Sequence, residues 1–173
     1  MMRRRKKTVL GNPTFKFLGL FFAYVLLAGF LIRLDWVDRR LMHPYTVLIT
    51  RISGAILNAM GILVETLGTT IRHNSFAVDI RRGCDGVVAT AVLVSACLAY
   101  PLRWKARVLG ALSGYALIFV LNLIRVMGLF YVGLKGSSRT FEFFHIYVSQ
   151  FAVIALAMVF WIYWVGREKT AVL

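Results

Sequence analysis

Four long apolar stretches constrain the fold of this chain more than any other feature. They cover residues 14–34, 86–102, 108–134 and 143–165. The hydrocarbon core of a bilayer is about 30 Å thick, and a helix needs about 20 mostly apolar residues to cross it. Hydrophobic residues make up 60% of the chain and charged residues only 16%, against about 45–50% and about 25% in soluble domains. The pattern predicts an all-α polytopic membrane protein with about four transmembrane helices, in which residues 1–173 form a single integral membrane domain.

The basic residues lie at the ends of these stretches and do not form one patch. The chain has 21 Lys and Arg against 7 Asp and Glu, a formal net charge of +14, which by itself would suit nucleic acid. The distribution instead fits the excess of positive charge that marks the cytoplasmic ends of membrane spans. It predicts that the N-terminal MMRRRKK, the loop 101–107 and the tail 167–169 lie inside, and that six of the seven acidic residues lie outside. We therefore expect a multi-pass protein of a bacterial inner membrane, with the lipid bilayer as a partner and no nucleic acid.

Residues 45–68 form a fifth segment with two interpretations. The segment has the length to span, but Arg51, Asn58 and Glu65 recur every seven residues and so lie along one stripe of a helix. Such a stripe suits a helix that lies in the membrane interface, whereas spanning would bury an arginine and a glutamate too far apart to pair. We expect an interfacial amphipathic helix with a solvated polar face, and an additional span is the alternative.

Residues 69–82 show the pattern of a strand pair. Apolar and polar side chains alternate over residues 76–81, and His73, Asn74 and Ser75 supply residues that favour a turn. The segment therefore predicts a short β-hairpin, which lies on the extracytoplasmic side when the basic loops lie inside.

The two cysteines occupy different settings. Cys97 lies in the middle of an uncharged stretch, whereas Cys84 precedes that stretch and follows Arg81 and Arg82. A helix would separate the two thiols by roughly 20 Å, so no disulfide is expected. Nearby cations and helix N-termini both favour a thiolate, and Cys84 has both beside it.

Three residues with reactive side chains reach one membrane boundary when the stretches are arranged as antiparallel helices. Cys84 stands before the second stretch, Arg125 late in the third and His145 at the start of the fourth. A thiolate is a nucleophile, an imidazole can take up and return its proton, and a guanidinium can stabilise an oxyanion or hold a carboxylate. Asn122, three residues before Arg125 on the same helical face, can orient it or donate a hydrogen bond of its own.

Each of these residues taken alone also has a structural interpretation. A lone interfacial cysteine is commonly inert, Arg125 could extend to the membrane surface, and His145 could bond a backbone group. Their joint arrival at one depth favours a catalytic site, because polar groups inside a span are costly. Asp85 opposes thiolate formation unless it caps the following helix. No metal or organic cofactor is expected, since the three histidines offer no pair of haem ligands.

The order of these residues resembles that of a known family. It consists of Cys84-Asp85-Gly86 at a helix start, Asn122-Leu123-Ile124-Arg125 late in the next span and His145 at the start of another. This arrangement resembles the exosortase/archaeosortase family of membrane transpeptidases over residues 71–165, and the short chain is similar to compact exosortases such as the H type. The resemblance implies that Cys84 is the nucleophile, Arg125 an oxyanion or substrate stabiliser and His145 the general acid/base. Asn122, Asp85 and Gly86 would support them, although the family commonly has Ser or Thr at the position of Asp85.

The resemblance also implies a class of substrate. Such an enzyme would act on exported proteins whose C-terminal tail carries a short recognition motif, a transmembrane helix and a basic end. It would cleave the tail through a thioester at the extracytoplasmic face and transfer the new C-terminus to an acceptor; the sequence predicts neither the acceptor nor the substrate-binding residues. Two other classes are open: a non-catalytic membrane scaffold or assembly protein, and an anion-binding transporter subunit that uses Arg125. Four spans without an inverted repeat argue against the transporter.

Overall fold

A computed structural model describes residues 13–170 of the chain. In chain order, the elements are α1 (Pro13–Ile32), α2 (Asp35–Val37), α3 (His43–Ala59), β1 (Glu65–Leu67), β2 (Thr70–His73), β3 (Phe76–Asp79), α4 (Val87–Ala99), α5 (Trp104–Lys135), α6 (Ser138–Phe143) and α7 (Ser149–Thr170). Two π-helical turns, Asp38–Met42 and Phe144–Val148, join α2 to α3 and α6 to α7. The predicted basic end MMRRRKK lies outside the described residues.

Three helices of the described chain are long and apolar enough to cross a membrane. They are α1, α5 and the helical stretch Ser138–Glu168 formed by α6, the second π turn and α7. They correspond to the predicted spans 14–34, 108–134 and 143–165. None of the residues of α1 is buried by the rest of the protein, and a helix that is apolar all round needs lipid to cover it. The protein is therefore a membrane protein.

The predicted span 86–102 forms a shorter helix than expected. Helix α4 has 13 residues, which rise roughly 20 Å and fall short of the hydrocarbon thickness. Its last turn is followed by Pro101, and the Arg107 side chain donates to the carbonyl oxygens of Leu102 at 2.8 Å and Leu98 at 3.4 Å. These bonds satisfy carbonyl groups that a helix end leaves without partners. Helix α4 nevertheless packs against α1, α5 and α7.

The prediction of one amphipathic helix over residues 45–68 is wrong for its second half. Helix α3 ends at Ala59, and residues 65–67 form strand β1. The Asn58 side chain terminates the helix: its amide donates to the Val64 carbonyl at 3.1 Å and its oxygen accepts from the Val64 N–H at 2.7 Å. Arg51, Asn58 and Glu65 are all exposed, but they do not share one helical stripe.

The predicted hairpin is part of a three-stranded antiparallel sheet with the order β1-β2-β3. Strands β2 and β3 form the expected hairpin, with His73 paired to Phe76. Asn74 in its turn has a φ of 52°, a left-handed conformation that asparagine tolerates better than most residues. The third strand comes from residues predicted to be helical, because the turn after α3 brings Glu65 opposite Arg72.

Two groups of buried side chains pack the chain on either side of the Cys84 segment. The first joins α3, the sheet and α5 and consists of Ile49, Leu57, Val64, Ile71, Ile80, Leu123, Val126 and Phe130. The second joins α4, α5 and α7 and consists of Leu93, Cys97, Ile118 and Val153. Helix α5 contributes to both, and Cys84 packs against the first.

Candidate active site

Cys84 lies in a tight turn between the sheet and α4. Its N–H donates to the Arg81 carbonyl at 2.9 Å, and the flanking Gly83 and Gly86 have φ of 88° and 78°. Left-handed backbone at both positions favours glycine, which has no Cβ to clash. The two glycines thus reverse the chain just before α4 and leave the thiol half-buried at the start of the helix.

His145 lies in the π-helical turn Phe144–Val148 and reaches the thiol. Its Nε2 is 3.4 Å from Cys84 Sγ, a contact between groups 61 residues apart in the chain. The ring stacks on Phe141 at 5.7 Å between centroids and 8° between planes. Its Nδ1 is buried and has no hydrogen-bond partner in the part of the chain that the structure describes. Cys84 and His145 therefore form a thiol–imidazole pair. The imidazole ring is held by stacking on Phe141 and not by a hydrogen bond from Nδ1 to a carboxylate of the described residues.

Arg125 extends from α5 into the same cavity. The cavity has a volume of about 420 Å³, and Cys84, Arg125 and His145 all line it. Arg125 Nε donates to Ser149 Oγ at 3.0 Å. The structure thus brings together the three residues that the sequence analysis placed at one membrane boundary, one each from the segment before α4, from α5 and from the π turn before α7.

Asp85 is turned away from the cavity and buried. Only 2% of its surface is exposed, and its carboxylate accepts hydrogen bonds from the Val87 N–H at 3.1 Å and from the Thr46 hydroxyl at 3.4 Å. The first bond satisfies a free N–H at the start of α4, but the N-cap position expected for Asp85 is occupied by Gly86. The second ties α3 to the segment that carries the thiol.

Asn122 does not contact Arg125 by a hydrogen bond, in contrast to one of the roles expected for it. Its side-chain oxygen and nitrogen are buried and have no hydrogen-bond partner among residues 13–170. The side chain lies against Gly86, where a Cβ would approach it to 3.0 Å. Gly86 is therefore required both by its backbone conformation and by the close approach of α5.

The surroundings of Cys84 have opposing effects on its ionisation. Burial is the largest influence and raises the pKa of the Cys84 thiol; Arg125 lowers it, Asp85 raises it and Arg81 lowers it, in that order of size. The net effect is a raised pKa, in contrast to the depressed value that the neighbouring arginines suggested. Removal of the thiol proton at neutral pH therefore requires a base, and His145 is in contact with the sulfur.

The two arginines before the cysteine are paired with carboxylates. Arg82 forms an ion pair with Asp38, in the π turn before α3. Arg81 Nε lies 3.5 Å from Asp79 Oδ2 in an ion pair of exposed side chains. Arg81 also lines the cavity together with Cys84. The ion pair of Arg82 links the segment before α4 to the π turn before α3.

Sequence reasoning missed two residues that contact the site. Ser149 bonds to Arg125, and Phe141 stacks on His145. Each is four residues from His145, a spacing that places side chains on one face of a helix and that could have identified them. Among the described residues, no group of three or more His, Cys, Asp and Glu side chains could hold a metal ion.

A family model described as transmembrane exosortase matches residues 8–163, which include Cys84, Arg125 and His145. No curated protein and no solved structure matches the chain significantly.

Proposed function

The chain belongs to the transmembrane exosortase family, and from that premise we propose that it is a membrane cysteine transpeptidase. Members of this family act on exported proteins with C-terminal tails. The proposed enzyme cleaves such a tail, made of a short motif, a transmembrane helix and a basic end, and transfers the new C-terminus to an acceptor. Cys84 is the nucleophile, His145 the general acid/base and Arg125 the oxyanion stabiliser, with Asn122, Asp85 and Gly86 in support.

The contact between Cys84 Sγ and His145 Nε2 at 3.4 Å is the observation that carries the proposal. His145 takes the thiol proton as the sulfur attacks the carbonyl carbon of the scissile bond. When the tetrahedral intermediate collapses, the imidazolium returns that proton to the leaving amine and a thioester remains on Cys84. An acceptor nucleophile then breaks the thioester, and His145 takes its proton.

Arg125 is a donor that can stabilise the oxyanion of the tetrahedral intermediate. The guanidinium keeps its charge at all physiological pH values. It faces the cavity that the thiol lines and can meet the developing negative charge.

The location of the cavity suits a tail anchored in the bilayer. Cys84 and His145 stand at the beginning of α4 and near the beginning of the Ser138–Glu168 helix, so the scissile bond would be presented at the end of the substrate's own span. Confinement of enzyme and tail to one membrane raises their effective concentration. We assign the helix ends that carry the cavity to the extracytoplasmic side of the inner membrane. The basic loop 101–107 and the tail 167–169 lie at the opposite ends of the helices, where positive charge marks the cytoplasmic side.

Tail processing in cells tests the proposal. The chain is co-expressed with exported reporters that carry candidate tails from the same genome, and the size of each reporter is followed. The variants are Cys84→Ala, Arg125→Ala and His145→Ala, and Cys97→Ala is the matched control because that thiol is buried away from the cavity.

We expect processing by the wild type and Cys97→Ala alone. Processing that survives Cys84→Ala would eliminate the thioester route and favour a scaffold role. Processing that survives His145→Ala at the full rate would remove the imidazole from the mechanism.

A further inference from the structure

One serine connects the two helices that supply Arg125 and His145. Ser149 Oγ accepts a hydrogen bond from Arg125 Nε at 3.0 Å and donates one to the His145 carbonyl at 2.9 Å. Its backbone N–H donates to the carbonyl of Phe144, five residues earlier. All three bonds are made by a residue that does not line the cavity.

The π turn explains why a hydroxyl is needed at this position. In a regular α-helix the N–H of Ser149 would donate to His145, four residues earlier. Here that N–H donates to Phe144, and the side-chain hydroxyl bonds the His145 carbonyl in its place. The π turn and the hydroxyl together set the rotation of His145 about the helix axis, and such turns recur at functional sites.

A serine that bonds the carbonyl four residues earlier is common in helices and carries little by itself. The hydrogen bond that Ser149 accepts from Arg125 distinguishes it from such serines. Arg125 lies late in a membrane-spanning helix, where an unpartnered guanidinium would turn towards the membrane surface. Its bond to Ser149 holds the side chain in the cavity instead.

We propose that Ser149 is a positioning residue that holds the Arg125 guanidinium in register with His145 across the cavity. Its importance for the reaction rests on the proposed function, whereas its effect on the thiol does not. Without the hydroxyl, the Arg125 Nε–H loses its acceptor and the guanidinium moves away from the Cys84 thiol. The His145 carbonyl also loses a hydrogen-bond donor. Ser149→Ala should therefore act mainly through Arg125.

Alkylation of Cys84 measures this effect without any substrate. The purified full-length protein in detergent, with Cys97→Ala as background, is treated with iodoacetamide across a pH range. The charged or titratable groups that line the cavity with the thiol are Asp79, Arg81, Arg125 and His145, and the buried Asp85 acts on the thiol from outside the cavity. Because Arg125 favours the thiolate, its departure should move the profile to higher pH and slow alkylation at neutral pH by roughly 3- to 10-fold.

The decisive comparison is a double-mutant cycle with Arg125→Gln, which removes the positive charge that favours the thiolate. We expect Ser149→Ala and Arg125→Gln each to move the profile to higher pH and the double variant to move it no further than Arg125→Gln alone. Ser149→Thr keeps a hydroxyl and should restore the wild-type profile. Ser53→Ala is the matched control, because Ser53 Oγ is buried and has no hydrogen-bond partner within residues 13–170.

Two results would overturn the proposal. One is a Ser149→Ala profile that coincides with that of the wild type, and the other is a full additional shift in the Arg125→Gln background. In the tail-processing assay Ser149→Ala should lower the turnover rate by roughly 10- to 100-fold, the range for a hydrogen bond to a charged group, with Ser149→Thr active. If the wild type processes no tail while the alkylation cycle holds, the proposed function fails and the positioning role stands.

Discussion

Replacement of Asp85 by Asn should make Cys84 easier to ionise. The Asp85 carboxylate is one of the groups that raise the pKa of the Cys84 thiol, so its neutralisation should lower that pKa. Asparagine keeps an oxygen for the Val87 N–H, which bonds Asp85 at 3.1 Å. The substitution therefore removes the charge and keeps an acceptor for the Val87 N–H.

The size of this decrease in the Cys84 pKa depends on the distance between Cys84 and Asp85, which are adjacent in the chain. Their Cα atoms are about 3.8 Å apart, and we assume a separation of about 7 Å between the two side-chain charges. Two unit charges at that distance interact by about 0.6–2.4 kcal/mol for effective dielectric constants between about 80 and 20. Since the thiol is half-buried, we expect a decrease of roughly half to one unit in its pKa.

The assay is the pH dependence of Cys84 alkylation in the Cys97→Ala background. The midpoint should move to lower pH in Asp85→Asn and by a similar amount in Asp85→Ser, which also leaves a side-chain oxygen at position 85. At pH 7 the rate should rise only about 2- to 3-fold, because a thiolate of lower pKa is a weaker nucleophile. The midpoint is therefore the better measure.

Asp35→Asn is the control for this prediction. Asp35 is an exposed carboxylate in α2, and the same change in charge there should leave the midpoint unchanged. A midpoint that stays fixed or rises in both Asp85 variants would show that the carboxylate does not act on the thiol electrostatically.

Three further predictions concern stability, each measured by thermal unfolding in detergent. Gly86→Ala should destabilise the protein by at least about 1–2 kcal/mol, the cost of left-handed backbone, because Gly86 has a φ of 78° and a close neighbour; Gly29→Ala has open space, and equal losses in both would contradict this reasoning. Arg82→Ala and Asp38→Ala should each cost less than about 1 kcal/mol, since one partner of the pair is exposed, and additive losses in the double variant would show that the pair contributes nothing. Asn58→Ala removes two hydrogen bonds to the loop before β1 and should cost about 1–3 kcal/mol, with faster proteolysis of that loop; an unchanged melting temperature would refute its role as the end of α3.

The sequence predicted the membrane-spanning helices and the convergence of Cys84, Arg125 and His145 for one reason. Helices that must cross a layer of fixed thickness have ends at defined depths, so positions along the chain convert into depth at 1.5 Å per residue. The membrane nature of the protein and the exosortase family are confirmed. The catalytic roles of the three residues stay predictions.

The sequence failed where local signals compete. The seven-residue spacing of Arg51, Asn58 and Glu65 imitates a helical stripe, but the Asn58 side chain ends the helix by bonding the backbone of the following loop. Such side-chain bonds to backbone compete with helix continuation, and periodicity alone cannot show which of the two forms. For the same reason the hairpin gained a third strand that was predicted to be helical.

The sequence by itself determined the class of protein, most of its spans and the helix ends near which its reactive side chains lie, because apolar length and charge decide what lipid can cover. Only the tertiary structure decided which of those side chains touch. The contact of Cys84 with His145, the bond of Arg125 to Ser149 and the packing of Asn122 against Gly86 depend on how each helix is rotated about its axis. That rotation is set by side-chain packing between helices and by one π turn, and neither is encoded in the period of a single segment.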